Sequence, residues 1–343
     1  ANFKGPSFSL ATSTLLVPAP LMRLPVLSLS ELTGYGQAAP NRLKTIWEGG
    51  AFAISNAEVS LNPPFAAVRR LFDRGDEAMS AGNKSGHRSL ATARRGLQPP
   101  QHHQPPQPPQ PPRRFWRGLI CSEGRERLSC AGIDRKRSID LTLEALHSRR
   151  LSRRLGNDLW TIQNFFSSQE ADKVGLVAIL GRSLQHTFGM SSNVLMGQRL
   201  HRLVDYREEL VDLPGPRCHS HRDYGSFTLL WEDFEGLEVL RQSGDWAQPP
   251  QDAVAVVVAG TALSWLTAGR IYAPPHRVLA PAARQGCRTV PRRTSIAYFV
   301  EPAKCQLLSP ITVPGHHQDL HDLTYAELKR RAQDRRGAVL PPM

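Results

Sequence analysis

Between residues 198 and 300 the chain is cut into short runs of strand-forming residues: RLHRLVDY, SFTLLW, LEVLRQ, AVAVVV, ALSWLT, HRVLA and TSIAYFV. Glycine, proline and polar residues separate them. Runs this short cannot bury an apolar face as isolated hairpins. Many of them at close spacing predict an all-β sandwich or barrel. Upstream the texture differs. AAVRRLFDRGDEAMS (66–80), residues 138–155 and residues 168–190 have helical spacing, as does TYAELKRRAQDRR (324–336) near the end. The fold class expected is mainly β with flanking helices.

Composition narrows the class. The chain has 343 residues, 40% hydrophobic and 21% charged, as an ordinary folded protein does. No stretch approaches the roughly 20 apolar residues of a membrane helix, so no membrane association is expected. The five cysteines, Cys121, Cys130, Cys218, Cys287 and Cys305, are odd in number and form no C-x-x-C, which argues against a disulfide framework or a structural zinc site. A reducing compartment follows, and a cytoplasmic location is the expectation. Residues 1–23 hold no acidic residue and only two basic ones, a composition also compatible with the tail of a plastid transit peptide or with a disordered end.

The net charge of +13 is uneven. Residues 84–154 carry 16 Lys and Arg against 5 Asp and Glu, whereas residues 214–310 carry 10 against 8. The basic excess accompanies QPPQHHQPPQPPQPPRR (98–114), which cannot pack a core and reads as an extended insertion. A solvated insertion is preferred to a nucleic-acid patch, because no aromatic-interleaved recognition motif accompanies the charge.

One short motif carries chemistry. In CHSHRDYGSFTLLWED (218–233), His221 and Asp223 stand two residues apart. On a strand such residues share a face, so an imidazole nitrogen and a carboxylate oxygen can reach one ion. A third ligand is needed, and His276 in APPHRVLAP supplies it. Two histidines and one carboxylate leave open coordination positions, the arrangement of non-haem Fe(II) oxygenases. His219 shares a face with His221 but stands four residues from Asp223, and His201, His316 and His317 have no carboxylate in a comparable arrangement; all four rank as structural or surface residues. Arg293 and Ser295 repeat the i, i+2 spacing in RTSIAYFVEP (293–302). A guanidinium with a neighbouring hydroxyl suits the distal carboxylate of a small diacid. A solvated edge-strand arginine is the alternative.

Together these residues resemble the isopenicillin N synthase-like Fe(II)/2-oxoglutarate dioxygenases. GTALSWLTAGRIYAPPHRV (260–278) is similar to the family's G-D-x-L-x-x-W-T-N-G-x-x-x-S-x-x-H-R-V, and DYGSFTLLWEDFEGLEVL (223–240) to D-x-G-x-L-T-L-L-x-Q-D-x-x-G-L-Q-V. Weaker likenesses reach upstream through NDLW, GGAFAISNAEV and LPVLSLS, so that the resemblance covers about residues 24–310. It departs at Val204, Arg207, Glu208 and Thr261, none of them among the candidate ligands.

The resemblance implies a double-stranded β-helix (jelly roll) core with helices outside. It implies Fe(II) on His221, Asp223 and His276, and 2-oxoglutarate as cosubstrate beside O2. Arg293 and Ser295 would bind the cosubstrate's C5 carboxylate, with Tyr206 beside it. The reaction implied is oxidation of a small organic molecule (hydroxylation, desaturation or cyclisation) with release of succinate and CO2. The domain reading is an N-terminal tail (1–23), the N-terminal part of the dioxygenase fold (24–96), a Pro/Gln-rich and basic insertion (97–137), flanking helices (138–195), the jelly-roll core (196–310) and a C-terminal helix and tail (311–343). A monomer is consistent with the sequence. Two rival readings stay open: a catalytically idle jelly roll acting as a scaffold, and an iron oxidase that does not use 2-oxoglutarate. A nucleic-acid demethylase is disfavoured, because the second arginine usual in that branch is replaced here by Phe299.

Overall fold

The computed structural model describes residues 22–33, 40–55, 62–86, 120–123, 134–142, 146, 148–171, 174–211, 213, 215–281, 286–311 and 321–334. The proline-rich stretch at 98–114, the tail before residue 22, and His316 and His317 lie outside them. In chain order the strands are β1 (Met22–Arg23), β2 (Val26–Ser28), β3 (Ala51–Ser55), β4 (Ile120–Glu123), β5 (Arg137–Leu141), β6 (Gln198–Tyr206), β7 (Glu209–Leu210), β8 (Cys218–His221), β9 (Phe227–Glu232), β10 (Leu237–Leu240), β11 (Trp246–Gln248), β12 (Ala255–Ala259), β13 (His276–Val278), β14 (Thr289–Val290), β15 (Arg293–Glu301), β16 (Leu307–Leu308) and β17 (Leu323–Thr324).

The main strands form two sheets. The larger has the order β2-β3-β12-β9-β15-β6-β5-β4, the smaller β1-β11-β10-β13-β8. Within the larger, β12, β9, β15, β6 and β5 pair antiparallel with one another. Strand alternation then sorts their side chains. In β9, Phe227, Leu229 and Trp231 point one way while Thr228, Leu230 and Glu232 point the other. In β15, Ile296, Tyr298 and Val300 oppose Arg293, Ser295, Ala297 and Phe299.

The first set of each strand joins one large apolar core. Phe227, Leu229, Trp231, Ile296, Tyr298 and Val300 pack there with Ile162, Phe165, Phe166 and Leu180 from the helices Asn157–Glu170 and Leu176–Phe188. Those helices therefore cover the outer face of the larger sheet. The inner face meets the smaller sheet in a second cluster, where Val204, Tyr206, Val256 and Val258 touch Cys218, Leu237, Val239 and Val278. Two antiparallel-rich sheets with a shared interior and helices outside make the expected jelly roll.

Two local expectations are corrected. ALSWLT, expected as a strand, is the helix Thr261–Leu266. An apolar run this short has no decisive period, and the helix opens where Thr261 N–H bonds the Asp223 carbonyl oxygen and Gly260 packs against Gly225. A Cβ on Gly260 would lie 2.1 Å from the carbonyl oxygen of Gly225, so only glycine permits this approach. Residues 138–155 do not form one helix either. They begin as β5, and helix resumes at Arg149–Leu155. Pairing of Ser138 with Val204 and of Ile139 with Leu203 adds residues 137–141 to the sheet and overrides their helical spacing. Among the described residues no helix is long and apolar enough to cross a membrane.

Candidate metal centre and anion pocket

β8 ends at His221, and Asp223 lies two residues on, in the turn before β9. β13 opens with His276, which stands directly opposite His221 in the antiparallel register. That pairing brings together two residues 55 apart in sequence; their rings lie 4.3 Å apart. The Nε2 atoms of His221 and His276 are 3.9 Å and 3.8 Å from Asp223 Oδ1. One donor atom from each residue falls within 4.8 Å of the others, which makes this the one group of three or more potential metal ligands among the described residues.

The surroundings prepare each donor. His221 Nδ1 lies 2.9 Å from the carbonyl oxygen of His219 and His276 Nδ1 lies 3.4 Å from that of Pro274. An Nδ1–H donated to a carbonyl leaves Nε2 with its lone pair toward the shared point, the tautomer a ligand needs. Burial holds His221 neutral and drives His276 down to about 4, with the neighbouring imidazole assisting and Asp223 opposing. Asp223 is buried too, which alone would raise its carboxyl. The two imidazoles and a hydrogen bond from Thr228 outweigh that and keep it ionised. Thr228 Oγ1 donates to Asp223 Oδ2 at 2.5 Å, leaving Oδ1 for the shared point. The backbone N–H and hydroxyl of Thr261 both donate to the Asp223 carbonyl oxygen, at 2.8 and 2.9 Å. Thr261, which departs from the family pattern, thus fixes the Asp223 turn.

Further along the inner face lies a second group. Arg293 pairs with Tyr206 across β15 and β6, and Ser295 pairs with Glu232 across β15 and β9. Cross-strand partners share a face, so all four line the interior. Arg293 is 2% exposed. Its Nε donates to the carbonyl oxygen of Phe234 at 3.0 Å, its Nη2 to the carboxylate of Glu232, and its Nη1 has no hydrogen-bond partner. The Tyr206 ring has two guanidinium groups close by, that of Arg293 at 5.1 Å and that of Arg217 at 5.2 Å. Burial works against the charge of Arg293, but the Glu232 carboxylate chiefly offsets it and its pKa is raised. A buried, protonated guanidinium with an unfilled donor is a site for an anionic oxygen. The solvated edge-strand alternative for Arg293 is thereby set aside.

The other histidines separate as expected. His201 is fully buried in the outer core, against Phe166 and Tyr298, with Nδ1 3.2 Å from the Leu141 carbonyl oxygen. His219 turns to Asp134, its Nδ1 2.9 Å from Oδ1. Sequence reasoning missed four groups: Thr228, Glu232, the buried Arg217, and the Asp134–Lys136–Cys218 cluster, in which Lys136 Nζ lies 3.1 Å from Cys218 Sγ and 3.2 Å from Asp134 Oδ2. Strand alternation was the available signal for Thr228 and Glu232, each two residues from the inward Leu230. Asp134 and Lys136 gave none, because they lie within the stretch read as the basic insertion (97–137).

A jelly roll that presents two histidines and a carboxylate at one point, with a buried arginine farther along the same interior, defines a class of non-haem metal protein. The comparisons show what the chain is similar to. Residues 198–302 match the model of the 2OG-Fe(II) oxygenase superfamily. A 2-oxoglutarate-dependent dioxygenase of Aspergillus rugulosus is 32% identical over 126 residues, which are 33% of this chain and 38% of that protein. The alignment thus spans little more than a third of that relative. Over nearly the whole chain, the fold is that of a full-length Neurospora crassa protein crystallised with alpha-KG (TM-score 0.65, 20% identity, 93% of this chain and 98% of the other). It is likewise that of a rice dioxygenase for auxin oxidation (TM-score 0.61, 22% identity, 91% and 95%). The likeness to the 2OG-Fe(II) oxygenase superfamily thus rests on residues 198–302, and the likeness of fold extends beyond them.

Proposed function

We propose that the protein is a non-haem Fe(II)/2-oxoglutarate-dependent dioxygenase that oxidises a small organic molecule with release of succinate and CO2. The observation that carries this reading is the convergence of the Nε2 atoms of His221 and His276 on Asp223 Oδ1. These three residues would hold the iron. The donor set fits: two neutral imidazoles, each with Nδ1 close to a backbone carbonyl, and one ionised carboxylate leave positions open for a chelating cosubstrate and O2. Iron with its cosubstrate would supply the activation of O2. The chain's own part is to orient and to exclude water.

Arg293 Nη1 would donate to the distal carboxylate of the cosubstrate, and the Ser295 hydroxyl, on the same face, would add a second hydrogen bond. Tyr206 would wall the pocket with its ring, which the two arginines hold in place. The apolar inner cluster of Val204, Val239, Val256 and Val258 would keep the cosubstrate's methylenes dry. A small-molecule substrate is supported by the Neurospora crassa neighbour, one of whose crystal structures also contains thymine.

The test is an anaerobic titration with Fe(II) and then 2-oxoglutarate, followed by the weak visible charge-transfer band of the chelate. The band is expected in the wild-type protein and not in Arg293→Ala at the same cosubstrate concentration. Iron binding without the band at any cosubstrate concentration would favour an oxidase that does not use 2-oxoglutarate. No iron binding would favour the idle scaffold.

A further inference from the structure

Arg293 already has an anion. The carboxylate of Glu232 reaches across from β9 and takes one arm of the guanidinium fork. The pair is enclosed: Arg293 is 2% exposed and the Glu232 side chain 17%. The other charges nearby have partners of their own. Asp233, next to Glu232, pairs with Arg69 at 2.6 Å and accepts the backbone N–H of Thr294. Arg217, beside the Tyr206 ring, lies 3.2 Å from Glu209, which also faces Arg135 at 3.4 Å. Tyr206 stays neutral, since burial raises its phenol well above its usual range. Lys136 pairs with Asp134. The guanidinium that would meet a diacid is therefore already neutralised by Glu232 before any diacid enters. A distal carboxylate beside Arg293 adds a second anion to one cation in a desolvated space, and buried like charges at such range cannot both stay ionised without a large penalty.

We propose that Glu232 is an internal competitor for Arg293: it holds part of the place of the cosubstrate's distal carboxylate, and it must take up a proton for that carboxylate to bind. This inference rests on the reading of the site given under Proposed function. Protonation is within reach, because burial raises the Glu232 carboxyl above its ordinary value even against the pull of Arg293. Once protonated, Glu232 becomes a hydrogen-bond donor beside an incoming carboxylate, and the charge balance is restored. Cosubstrate affinity is thus tuned by one glutamate that takes no part in holding iron.

The test compares wild-type protein with the isosteric, neutral Glu232→Gln, both loaded with Fe(II) under argon. Two ligands are titrated by calorimetry and by the visible band: 2-oxoglutarate, and pyruvate, which keeps the chelating end but lacks the distal carboxylate. Glu232→Gln is expected to bind 2-oxoglutarate about tenfold tighter or more, the equivalent of one pKa unit of relieved repulsion, with pyruvate changed less than about twofold. Wild-type affinity for 2-oxoglutarate is expected to fall by up to about tenfold per pH unit over the range in which Glu232 is ionised in the free protein and protonated in the complex, since binding takes up a proton. The slope vanishes in Glu232→Gln, while any contribution from the iron ligands persists in both proteins. Calorimetry of the wild-type protein in two buffers of different ionisation heat measures proton uptake directly, and it decides the question if the variant does not fold. Equal or weaker 2-oxoglutarate binding by Glu232→Gln, or no proton uptake by the wild type, overturns the competitor role while iron and cosubstrate binding stand. Failure of both proteins to bind either 2-oxo acid, with iron bound, removes the cosubstrate reading and the inference with it.

Discussion

The two faces of the larger sheet are built from the same strands and do opposite things. On β9, Phe227, Leu229 and Trp231 face the helices at 0–1% exposure. Thr228, Leu230 and Glu232, interleaved with them, face the barrel interior and reach Asp223, the small inner cluster and Arg293 in turn. The outer face gathers most of the buried hydrocarbon, and each fully buried large side chain there stabilises by roughly 1.5–3 kcal/mol. The inner face gives that up for buried polar groups that cost stability unless partnered. Stability and chemistry are therefore separable by parity along a single strand. A sheet anchored from outside can hold charged residues inside without unfolding.

That separation can be broken from either side. The largest effect is expected for Trp231→Ala, which removes a side chain packed edge-on against Phe165 at 5.0 Å. It should lower unfolding free energy by about 3–5 kcal/mol in denaturant titration, while the folded fraction keeps one iron site. Loss of iron binding in the folded variant would show that the faces are coupled. His276→Ala should do the reverse. Iron affinity is expected to fall at least about 100-fold, roughly 2.7 kcal/mol, with little change in the melting of the metal-free protein. Retained iron binding and turnover in that variant would defeat the metal assignment.

A smaller effect sharpens the division within the inner face. Thr228→Val keeps the shape but removes the hydrogen bond to Asp223 Oδ2. Iron affinity should drop about 10–100-fold, the usual range for a partner that orients a ligand; unchanged affinity would mean that the Thr261 contacts alone fix Asp223. The smallest effect belongs to Trp160, which is 62% exposed on the outside of its helix. Trp160→Ser should shift stability by less than about 0.5 kcal/mol and leave iron and cosubstrate binding alone. A larger shift would place Trp160 in a contact with chain outside the described residues.

The sequence by itself determined a good deal. The alternation in FTLLWE and RTSIAYFVE makes each a two-faced strand, because side chains two apart share a face whatever the fold. The pairing of His221 with Asp223 is legible for a related reason: the strand and the turn that follows keep two close neighbours near one point. The likeness of residues 223–240 and 260–278 to one family then indicated which fold those strands enter.

What tertiary structure decided is everything that crosses between strands. His276 becomes a partner of His221 only through the register of β13 on β8. Glu232 meets Arg293 only because β9 and β15 are adjacent and staggered as they are. Asp134 and Lys136 join the interior wall because residues 137–141 pair with β6 instead of completing the helix that their spacing suggests. ALSWLT becomes a helix where Gly260 packs against Gly225 and Thr261 binds the Asp223 carbonyl oxygen. Local periodicity fixes which face a side chain takes, but the free energy of long-range pairing fixes what it faces. The two histidines and Asp223 could be listed from the sequence; the carboxylate already held by Arg293 could not, since nothing local to Glu232 names its partner 61 residues away.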